Sequence, residues 1–314
     1  MKDLDINFPF DKFEKLIIDI GWESLEDWFN FWNNKKSILS IEEFWKNKVN
    51  DDWIWGLALP LLSQAYKFQN YSSDRKIIGI SALPGTGKTT LGKWLEAISL
   101  KLNFKIVVIS IDDFYLPSEE MKIAIKNNPW NVSRGFPGSH SVKLMHEKLL
   151  NWKITGKLNV PVFDKSLRNG LGDRSHWRLD EPDLLILEGW FLGIKPYSLD
   201  IIDRSVSTLN LSLDESSYLL TIQNNLNEYL DIWTLIDNIW HFKPLKIEYM
   251  NKWKTNQEKE MLLQKGSALK DEKLSKFLRM LNVSIPQKSF DLINSYAIFL
   301  IDQERNLIEA GLNE

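Results

Sequence analysis

The residue types with the clearest chemistry lie in residues 82–89, ALPGTGKT, which fit the phosphate-binding loop pattern with an alanine in place of its first glycine. Gly85 and Gly87 allow the backbone to curl so that successive N–H groups point at phosphate oxygens. Lys88 can reach the β- and γ-phosphates of a nucleotide, and the Thr89 hydroxyl can ligate Mg²⁺. The predicted ATP-binding residues are Pro84, Gly85, Thr86, Gly87, Lys88, Thr89 and Thr90.

The segments on either side of the loop support this interpretation. Residues 76–81 are a short apolar run of strand type, and the apolar residues within 91–102 recur at helical spacing. A helix that starts at the loop adds the positive end of its dipole to the phosphate site. The alternative interpretation is a glycine turn between a strand and a helix that binds no ligand.

Two carboxylates follow later apolar segments. Residues 105–111 and 183–187 are predicted strands, with Asp112 directly after the first and Glu188 directly after the second. A kinase must hold the phosphates and Mg²⁺, and it needs a carboxylate to accept the proton of the attacking hydroxyl. We assign the base role to Asp112 and a role in holding Mg²⁺ to Glu188, although either acid taken alone also fits a capping or loop position. The predicted catalytic residues are Lys88, Asp112 and Glu188, and the predicted metal ligands are Thr89 and Glu188.

Strands and helices alternate through the rest of the core. Further strands are predicted at residues 205–211 and 236–242, and further helices at 119–126 and 141–152. Such alternation predicts an α/β fold of the P-loop NTPase type, with a parallel sheet covered by helices on both faces. Ligands of such a sheet are expected at the carboxyl ends of its strands.

The N-terminal part differs in composition from this core. Residues 1–70 are predicted to form a helical extension packed on a kinase domain of residues 75–314. Six of the fourteen tryptophans lie in the first 55 residues, namely Trp22, Trp28, Trp32, Trp45, Trp53 and Trp55. Large apolar side chains in this number favour packing between helices and the main domain, with a stacking platform for a sugar or a base as the alternative.

The composition excludes several classes of function. The net charge of −3 argues against a general nucleic-acid binder, and the absence of cysteine excludes disulfides, thiolate zinc sites and a thiol nucleophile. The four histidines show no metal-ligand spacing, and no apolar run reaches transmembrane length. The first residues, MKDLD, lack the features of a signal or transit peptide, so a cytoplasmic setting is expected.

Short motifs along the chain resemble those of known kinases. DDFY after the second strand and LEG after the third resemble the phosphoribulokinase, uridine kinase and pantothenate kinase group of P-loop kinases. Further segments resemble the plant and cyanobacterial type of D-glycerate 3-kinase, and they are RGFPGSH (134–140), PVFDKS (161–166), GDR (172–174), LEGW (187–190), LNEY (226–229) and WKTNQE (253–258). The chain departs from the family's motifs at Phe136, Ser141, Phe163 and Lys254, where the family has Asn, Asp, Tyr and Arg.

The resemblance implies an ATP-dependent kinase that converts D-glycerate to 3-phosphoglycerate, as in photorespiratory-type metabolism. Because this acceptor carries a carboxylate, cationic donors are needed to bind it. The implied substrate-binding residues are Arg134, His140, Lys165, Arg168 and Arg174, within a substrate loop of residues 130–178. Residues 244–266 are a candidate lid helix with Lys252, Lys254 and Gln257 toward the nucleotide, and a solvated helix fits that segment as well.

Two other functions stay open on the sequence. The same chemistry fits another small acceptor, such as a nucleoside, a sugar phosphate or a pantothenate-like acid. Alternatively, the chain is a regulatory module that binds ATP but has an inactive acceptor site, since a fold does not determine function. The expected partners are ATP, Mg²⁺ and a small-molecule acceptor, with no nucleic acid or membrane, and the sequence does not determine the oligomeric state.

Overall fold

The computed structural model describes residues 6–39, 41–45, 49–197, 209–266, 268–269 and 271–313. The described residues form eight strands, which are β1 (Ile77–Ala82), β2 (Ile106–Ser110), β3 (Leu158–Asp164), β4 (Asp173–Asp180), β5 (Leu184–Gly189), β6 (Asn238–Pro244), β7 (Ala297–Ile301) and β8 (Leu307–Leu312). Six of them form one sheet in the order β2-β5-β1-β6-β7-β8. Its first five strands run parallel and β8 is antiparallel, which confirms the predicted α/β fold.

The α-helices of the described residues are α1 (Asp11–Asp19), α2 (Leu25–Asn34), α3 (Ile41–Phe44), α4 (Asp51–Trp53), α5 (Leu59–Tyr71), α6 (Lys88–Lys101), α7 (Ser118–Ala124), α8 (Val142–Thr155), α9 (Leu213–Glu228), α10 (Leu230–Thr234), α11 (Tyr249–Lys265), α12 (Asp271–Val283) and α13 (Gln287–Asp291). A π-helical segment, Ile54–Ala58, joins α4 to α5, and a 3₁₀ turn, Ile111–Phe114, follows β2. The predicted helices at 91–102, 119–126, 141–152 and 244–266 correspond to α6, α7, α8 and α11.

The sheet separates two hydrophobic cores. Alternate residues of a strand face opposite sides of a sheet, and in β5 Leu185 and Leu187 enter one core while Leu184 and Ile186 enter the other. The first core packs the sheet against α8, α9, α10 and α12. The second packs it against α6 and the N-terminal helices. Burial on both faces explains why the central strands read as continuous apolar runs.

The tryptophans of the N-terminal helices lie in this second core. Trp28 and Trp32 are at most 1% exposed, and both indole N–H groups donate to the Ser63 hydroxyl at 2.7 Å. That hydroxyl in turn donates to the Leu59 carbonyl, so its hydrogen-bonding capacity is fully used. These contacts favour the packing interpretation over an exposed stacking platform.

Two parts of the fold differ from the sequence prediction. Strands β3 and β4 form a separate antiparallel hairpin within the segment predicted as a loop. The sequence did not indicate β4 as a strand because its residues are mainly charged or polar and are exposed or half-buried. The strand predicted at 205–211 lies mostly outside the described residues, and 209–211 are not in a strand. Those three residues lead instead to Ser212, whose side chain caps α9.

Within the part of the chain that the structure describes, no helix combines the length and apolar character that crossing a membrane requires.

Candidate active site

The phosphate-binding loop lies between β1 and α6, as predicted from the sequence. Gly85 and Gly87 adopt φ values of +82° and +102°, the left-handed region that favours glycine. A Cβ atom at Gly85 would lie 2.7 Å from the backbone carbonyl carbon of Trp253, so a side chain is also excluded by space. Gly87 caps α6 without a side-chain hydrogen bond, which leaves the helix N-terminus available to an anion.

The remaining loop residues form a partly open turn. Thr86 is buried and its hydroxyl donates to the Leu83 carbonyl at 2.8 Å. Thr89 is exposed at the start of α6, whereas Pro84 and Thr90 are half-buried. The exposed Thr89 hydroxyl is therefore accessible to a metal ion, as the motif requires.

Lys88 and Glu188 meet between the loop and β5. The Lys88 ammonium donates to the carbonyls of Ala82 and Leu83, at 2.6 and 3.1 Å, and lies 3.8 Å from a carboxylate oxygen of Glu188. Burial lowers the pKa of Lys88, although the charges of Glu188 and Asp112 oppose this shift. Burial likewise raises the pKa of Glu188 against the opposing charge of Lys88. Both charged side chains are therefore poorly solvated, so a bound phosphate would stabilise the charge of Lys88 and a bound cation that of Glu188.

Sheet register places Glu188 between the loop and Asp112. Glu188 of β5 pairs with Ile80 of β1 on one side and with Ser110 of β2 on the other. Asp112 follows in the 3₁₀ turn, where its N–H donates to the Ser110 hydroxyl at 3.2 Å. The carboxyl ends of three adjacent strands thus bring the three predicted catalytic residues to one edge of the sheet.

The carboxylate of Asp112 contacts two residues of the predicted substrate loop. Lys165 donates to Oδ2 at 2.7 Å, and His140 Nε2 lies 3.8 Å from Oδ1. Burial would raise the pKa of Asp112, but the charge of Lys165 and the nearby His140 outweigh it and hold that pKa well below its usual range. Asp112 is accordingly ionised at neutral pH, the form that a proton acceptor requires, and its low pKa makes it a weak base.

The neighbouring Asp113 has a different environment, which sequence reasoning missed. Its carboxylate accepts hydrogen bonds from the N–H groups of Ser110, at 3.0 Å, and Phe163, at 3.5 Å. Burial raises the pKa of Asp113 to about 6, although these two hydrogen bonds oppose the shift. Asp113 therefore connects the end of β2 to the β3–β4 hairpin. In the sequence, only its position next to Asp112 could have indicated that it belongs to the site.

The predicted cationic residues divide into two groups. Arg134 donates to the carbonyls of Gly170 and Leu171, at 3.0 and 2.7 Å, and its charge acts on Lys165 in the Asp112 cluster. Arg168 lies at the surface, 3.4 Å from Asp173.

Arg174 belongs with Arg168 rather than with the Asp112 cluster. It donates to the Ser141 hydroxyl at 2.6 Å and to the Tyr115 carbonyl at 3.2 Å. The structure thus brings His140 and Lys165 to Asp112, Arg134 acts on Lys165 through its charge, and Arg168 and Arg174 bind other residues.

Helix α11 contributes one cation to the same region. Lys254 is largely buried, pairs with Glu258 at 2.5 Å, and its charge acts on both Lys165 and Asp112. Gln257 accepts a hydrogen bond from Lys254 at 3.1 Å, while Lys252 pairs with Glu304 at the surface. Of the three residues predicted to face the nucleotide, Lys254 lies nearest to the acidic residues of the site.

A contact between the N-terminal helices and the loop was also missed. The indole N–H of Trp53 donates to the carbonyl of Arg305, and the Arg305 guanidinium donates to the carbonyl of Gly85 at 3.0 Å. The Trp53 ring also lies 3.9 Å from the position of a Cβ on Gly87. Trp53 and Arg305 lie 252 residues apart, so no local signal could have indicated this contact.

Metal binding at this site would depend on few protein ligands. Among the described residues there is no group of three or more histidine or acidic side chains placed to hold a metal ion. Mg²⁺ at kinase sites keeps several waters and binds phosphate oxygens beside one or two protein oxygens. The oxygen donors Thr89 and Glu188 fit that requirement.

The sequence relatives of this chain include several kinases. The chain is 32% identical over 229 residues to the uncharacterized kinase mug58 of Schizosaccharomyces pombe, an alignment that covers 69% of this chain and 80% of that protein. It is 33% identical over 217 residues to the chloroplastic D-glycerate 3-kinase of Arabidopsis thaliana, covering 64% of this chain and 45% of the plant protein. No protein-family model matches the chain.

A solved structure of a named kinase has the same fold. The D-glycerate 3-kinase from Cryptococcus neoformans superposes with a TM-score of 0.68 at 25% identity, over 82% of this chain and 97% of that one.

Proposed function

Since this chain belongs to the P-loop kinase family that includes D-glycerate 3-kinase, and is a phosphotransferase acting on an alcohol acceptor, we propose that its acceptor is D-glycerate and its product 3-phosphoglycerate. The observation that carries the proposal is the position of the Asp112 carboxylate, 2.7 Å from Lys165, 3.8 Å from His140 and beside the Lys88–Glu188 pair. A base, a phosphate-binding lysine and cations for a carboxylate are the groups that this reaction requires.

The proposed reaction is a direct transfer. Asp112 accepts the proton of the acceptor hydroxyl, whose oxygen attacks the γ-phosphorus of ATP. The bond from that phosphorus to the bridging oxygen breaks, and its electron pair leaves with ADP. Lys88 and the N-terminus of α6 stabilise the charge on the transferring group. Bound Mg²⁺ would neutralise phosphate charge, and Thr89 and Glu188 are the residues that would hold it.

The acceptor carboxylate is assigned to the cations of the substrate loop. Lys165 contacts Asp112 directly, Arg134 acts on Lys165 through its charge, and His140 supplies a neutral hydrogen-bonding group beside Asp112. Arg168 and Arg174 are proposed to act indirectly, through the hairpin and loop residues that they bind. A short acceptor would place its carboxylate and hydroxyl within reach of both sets of groups.

Two related proposals depend on the same site. Phe136, in place of the family's Asn, is buried in the first core against Trp130 and Tyr218, so this substitution does not by itself favour another small acceptor. An inactive ATP-binding module is disfavoured by the intact Asp112–Lys165 pair. The resemblance supports a photorespiratory-type role and the use of Mg²⁺, and the cytoplasmic location expected from the sequence is kept as part of the proposal.

A coupled ADP-release assay tests the proposed acceptor. Purified protein with ATP and Mg²⁺ is supplied with D-glycerate, L-glycerate, uridine, ribulose 5-phosphate or pantothenate. The largest kcat/KM is expected for D-glycerate. A larger value for another compound would overturn the glycerate assignment and keep the kinase, whereas ATP binding with no turnover of any acceptor would favour the regulatory module.

A further inference from the structure

The two ring nitrogens of His140 have different surroundings. The side chain is buried, and Nδ1 lies 2.8 Å from the hydroxyl oxygen of Tyr229. Nε2 has no hydrogen-bond partner among the described residues, and Asp112 Oδ1 is 3.8 Å away, too far for a direct hydrogen bond. One nitrogen is therefore fixed by the protein, and the other is a buried group without a partner, 3.8 Å from the proposed base.

The ring cannot easily turn away from this arrangement. Tyr115 stacks on the imidazole with centroids 4.5 Å apart, and Phe191 packs against it edge-on at 5.7 Å. The backbones of Tyr115 and His140 are also bridged as an isolated antiparallel pair. The direction of Nε2 is consequently set by packing.

Tyr229 determines which nitrogen carries the proton. Its hydroxyl oxygen accepts a hydrogen bond from the N–H of Gly138 at 3.2 Å, and the side chain is 0% exposed. A phenol that already accepts one hydrogen bond and is shielded from water needs an acceptor for its own proton, and His140 Nδ1 lies within reach. The opposite tautomer would leave that proton without this acceptor and would direct the Nε2 lone pair toward the Asp112 carboxylate.

We propose that Tyr229 is a positioning residue that holds His140 in the Nε2-protonated tautomer, so that Nε2–H donates a hydrogen bond to an oxygen of the acceptor beside Asp112. This inference rests on the proposed function for its kinetic consequence, but the tautomer itself does not depend on the identity of the acceptor. An acceptor oxygen at hydrogen-bond distance from both atoms, to one side of the 3.8 Å line that joins Nε2 and Oδ1, would receive one hydrogen bond and donate the other.

The tautomer is measurable directly. In protein labelled with ¹⁵N-histidine, the four histidine rings are resolved by NMR, and His140→Gln identifies the His140 signals by their loss. We expect the wild-type ring to have a protonated Nε2 and a bare Nδ1. Tyr229→Phe should convert it to the other tautomer or to a mixture. A bare Nε2 in the wild type, or an unchanged ring in Tyr229→Phe, would overturn the proposal.

Kinetics then separate positioning from general stability. Tyr229→Phe should lower kcat/KM for the acceptor roughly 3- to 10-fold, the value of about one neutral hydrogen bond, and leave the KM for ATP unchanged. Tyr197→Phe is the matched control, since Tyr197 is another buried tyrosine whose hydroxyl donates to a carbonyl, that of Ser284 at 3.3 Å. It should leave kcat/KM unchanged.

A double variant provides the last comparison. In a His140→Gln background, where the side-chain amide has no tautomers, Tyr229→Phe should cost much less than in the wild type. An equal cost in both backgrounds would contradict the proposal. If no acceptor is turned over at all, the proposed function fails while the NMR measurement still decides the tautomer.

Discussion

Lys165 Nζ lies 2.7 Å from Asp112 Oδ2, although the two residues are 53 positions apart in the sequence. Asp112 follows β2 and Lys165 follows β3. The pair keeps the proposed base ionised and at the same time leaves two further ammonium protons for an acceptor carboxylate. The turn after β3 therefore contributes a charge to the site, in addition to the backbone contacts of the hairpin with Asp113 and Arg134.

Lys165→Met should raise the pKa of Asp112, because the opposing effect of burial would be left without its largest counterweight. Activity that needs the ionised carboxylate is lost as the pH falls through this pKa, so the acidic limb of the kcat/KM profile should move to higher pH. The acceptor kcat/KM at neutral pH should also fall roughly tenfold or more. Lys157→Met, at an exposed position before β3, is the control and should change neither quantity.

Lys88→Ala should reduce kcat by orders of magnitude, because it removes a charge that stabilises the transferring phosphoryl group. The fold should survive, since the alanine removes a buried charge and leaves the glycine turn intact. Lys93→Ala, at an exposed position on the same helix, is the matched control in the ADP-release assay. Near-normal turnover by Lys88→Ala would contradict the assignment of the loop.

Asp112→Asn and Glu188→Gln should differ in kind. The first removes the proton acceptor and keeps its shape, so kcat should fall strongly while ATP affinity is nearly unchanged. The second removes a proposed Mg²⁺ ligand, so the Mg²⁺ concentration for half-maximal rate should rise. Titration of Mg²⁺ at saturating ATP distinguishes the two, and the reverse pattern would require the roles to be exchanged.

Arg134→Ala should lower kcat/KM for D-glycerate by roughly 10- to 150-fold, the value of one charged hydrogen bond of about 1.5–3 kcal/mol, with ATP binding unchanged. Arg168→Ala should cost far less, because Arg168 binds Asp173 at the surface and not the Asp112 cluster. Steady-state kinetics on both variants make the comparison. Equal losses would show that the structure's division of the cations is not the functional one.

The raised pKa of Asp113 predicts that the stability of the protein depends on pH. Its pKa is raised by burial from 3.8 to about 6, so between these values the folded chain binds a proton that the unfolded chain has released. The free energy of unfolding should therefore decrease as the pH rises through this window, by an amount of the order of 3 kcal/mol, and stay constant above it. In urea unfolding, the decrease through this window should be larger for the wild type than for Asp113→Asn by about this amount. Parallel curves would rule out the raised pKa.

The sequence by itself determined the parts of the site that follow from local order. A glycine loop between an apolar strand and an amphipathic helix has one common use, and an acid directly after a buried strand must lie at the carboxyl end of the sheet. These rules located the phosphate-binding loop, Asp112 and Glu188. They work because burial on both faces makes a parallel strand apolar throughout, and its last residue is then evident.

The hairpin and the last two strands were less accessible to such rules. Strand β4 is charged and exposed or half-buried, so it has no clear hydrophobic period, and β7 is a short strand next to β8, which forms the edge of the sheet. The cationic residues between β2 and β5 could be named as a set, but their division into two groups could not be predicted. Lys165 and Arg174 have similar local sequence surroundings and yet contact different residues.

Only the tertiary structure decided which distant groups meet. The contact of Tyr229 with His140 spans 89 residues, and that of Trp53 with Arg305 spans 252. Hydrogen bonds depend on distance and angle to within a few tenths of an ångström, and for such pairs these are set by how helices and loops pack on the sheet. The sequence supplied the donors and acceptors, whereas packing of the two cores selected the partner of each one.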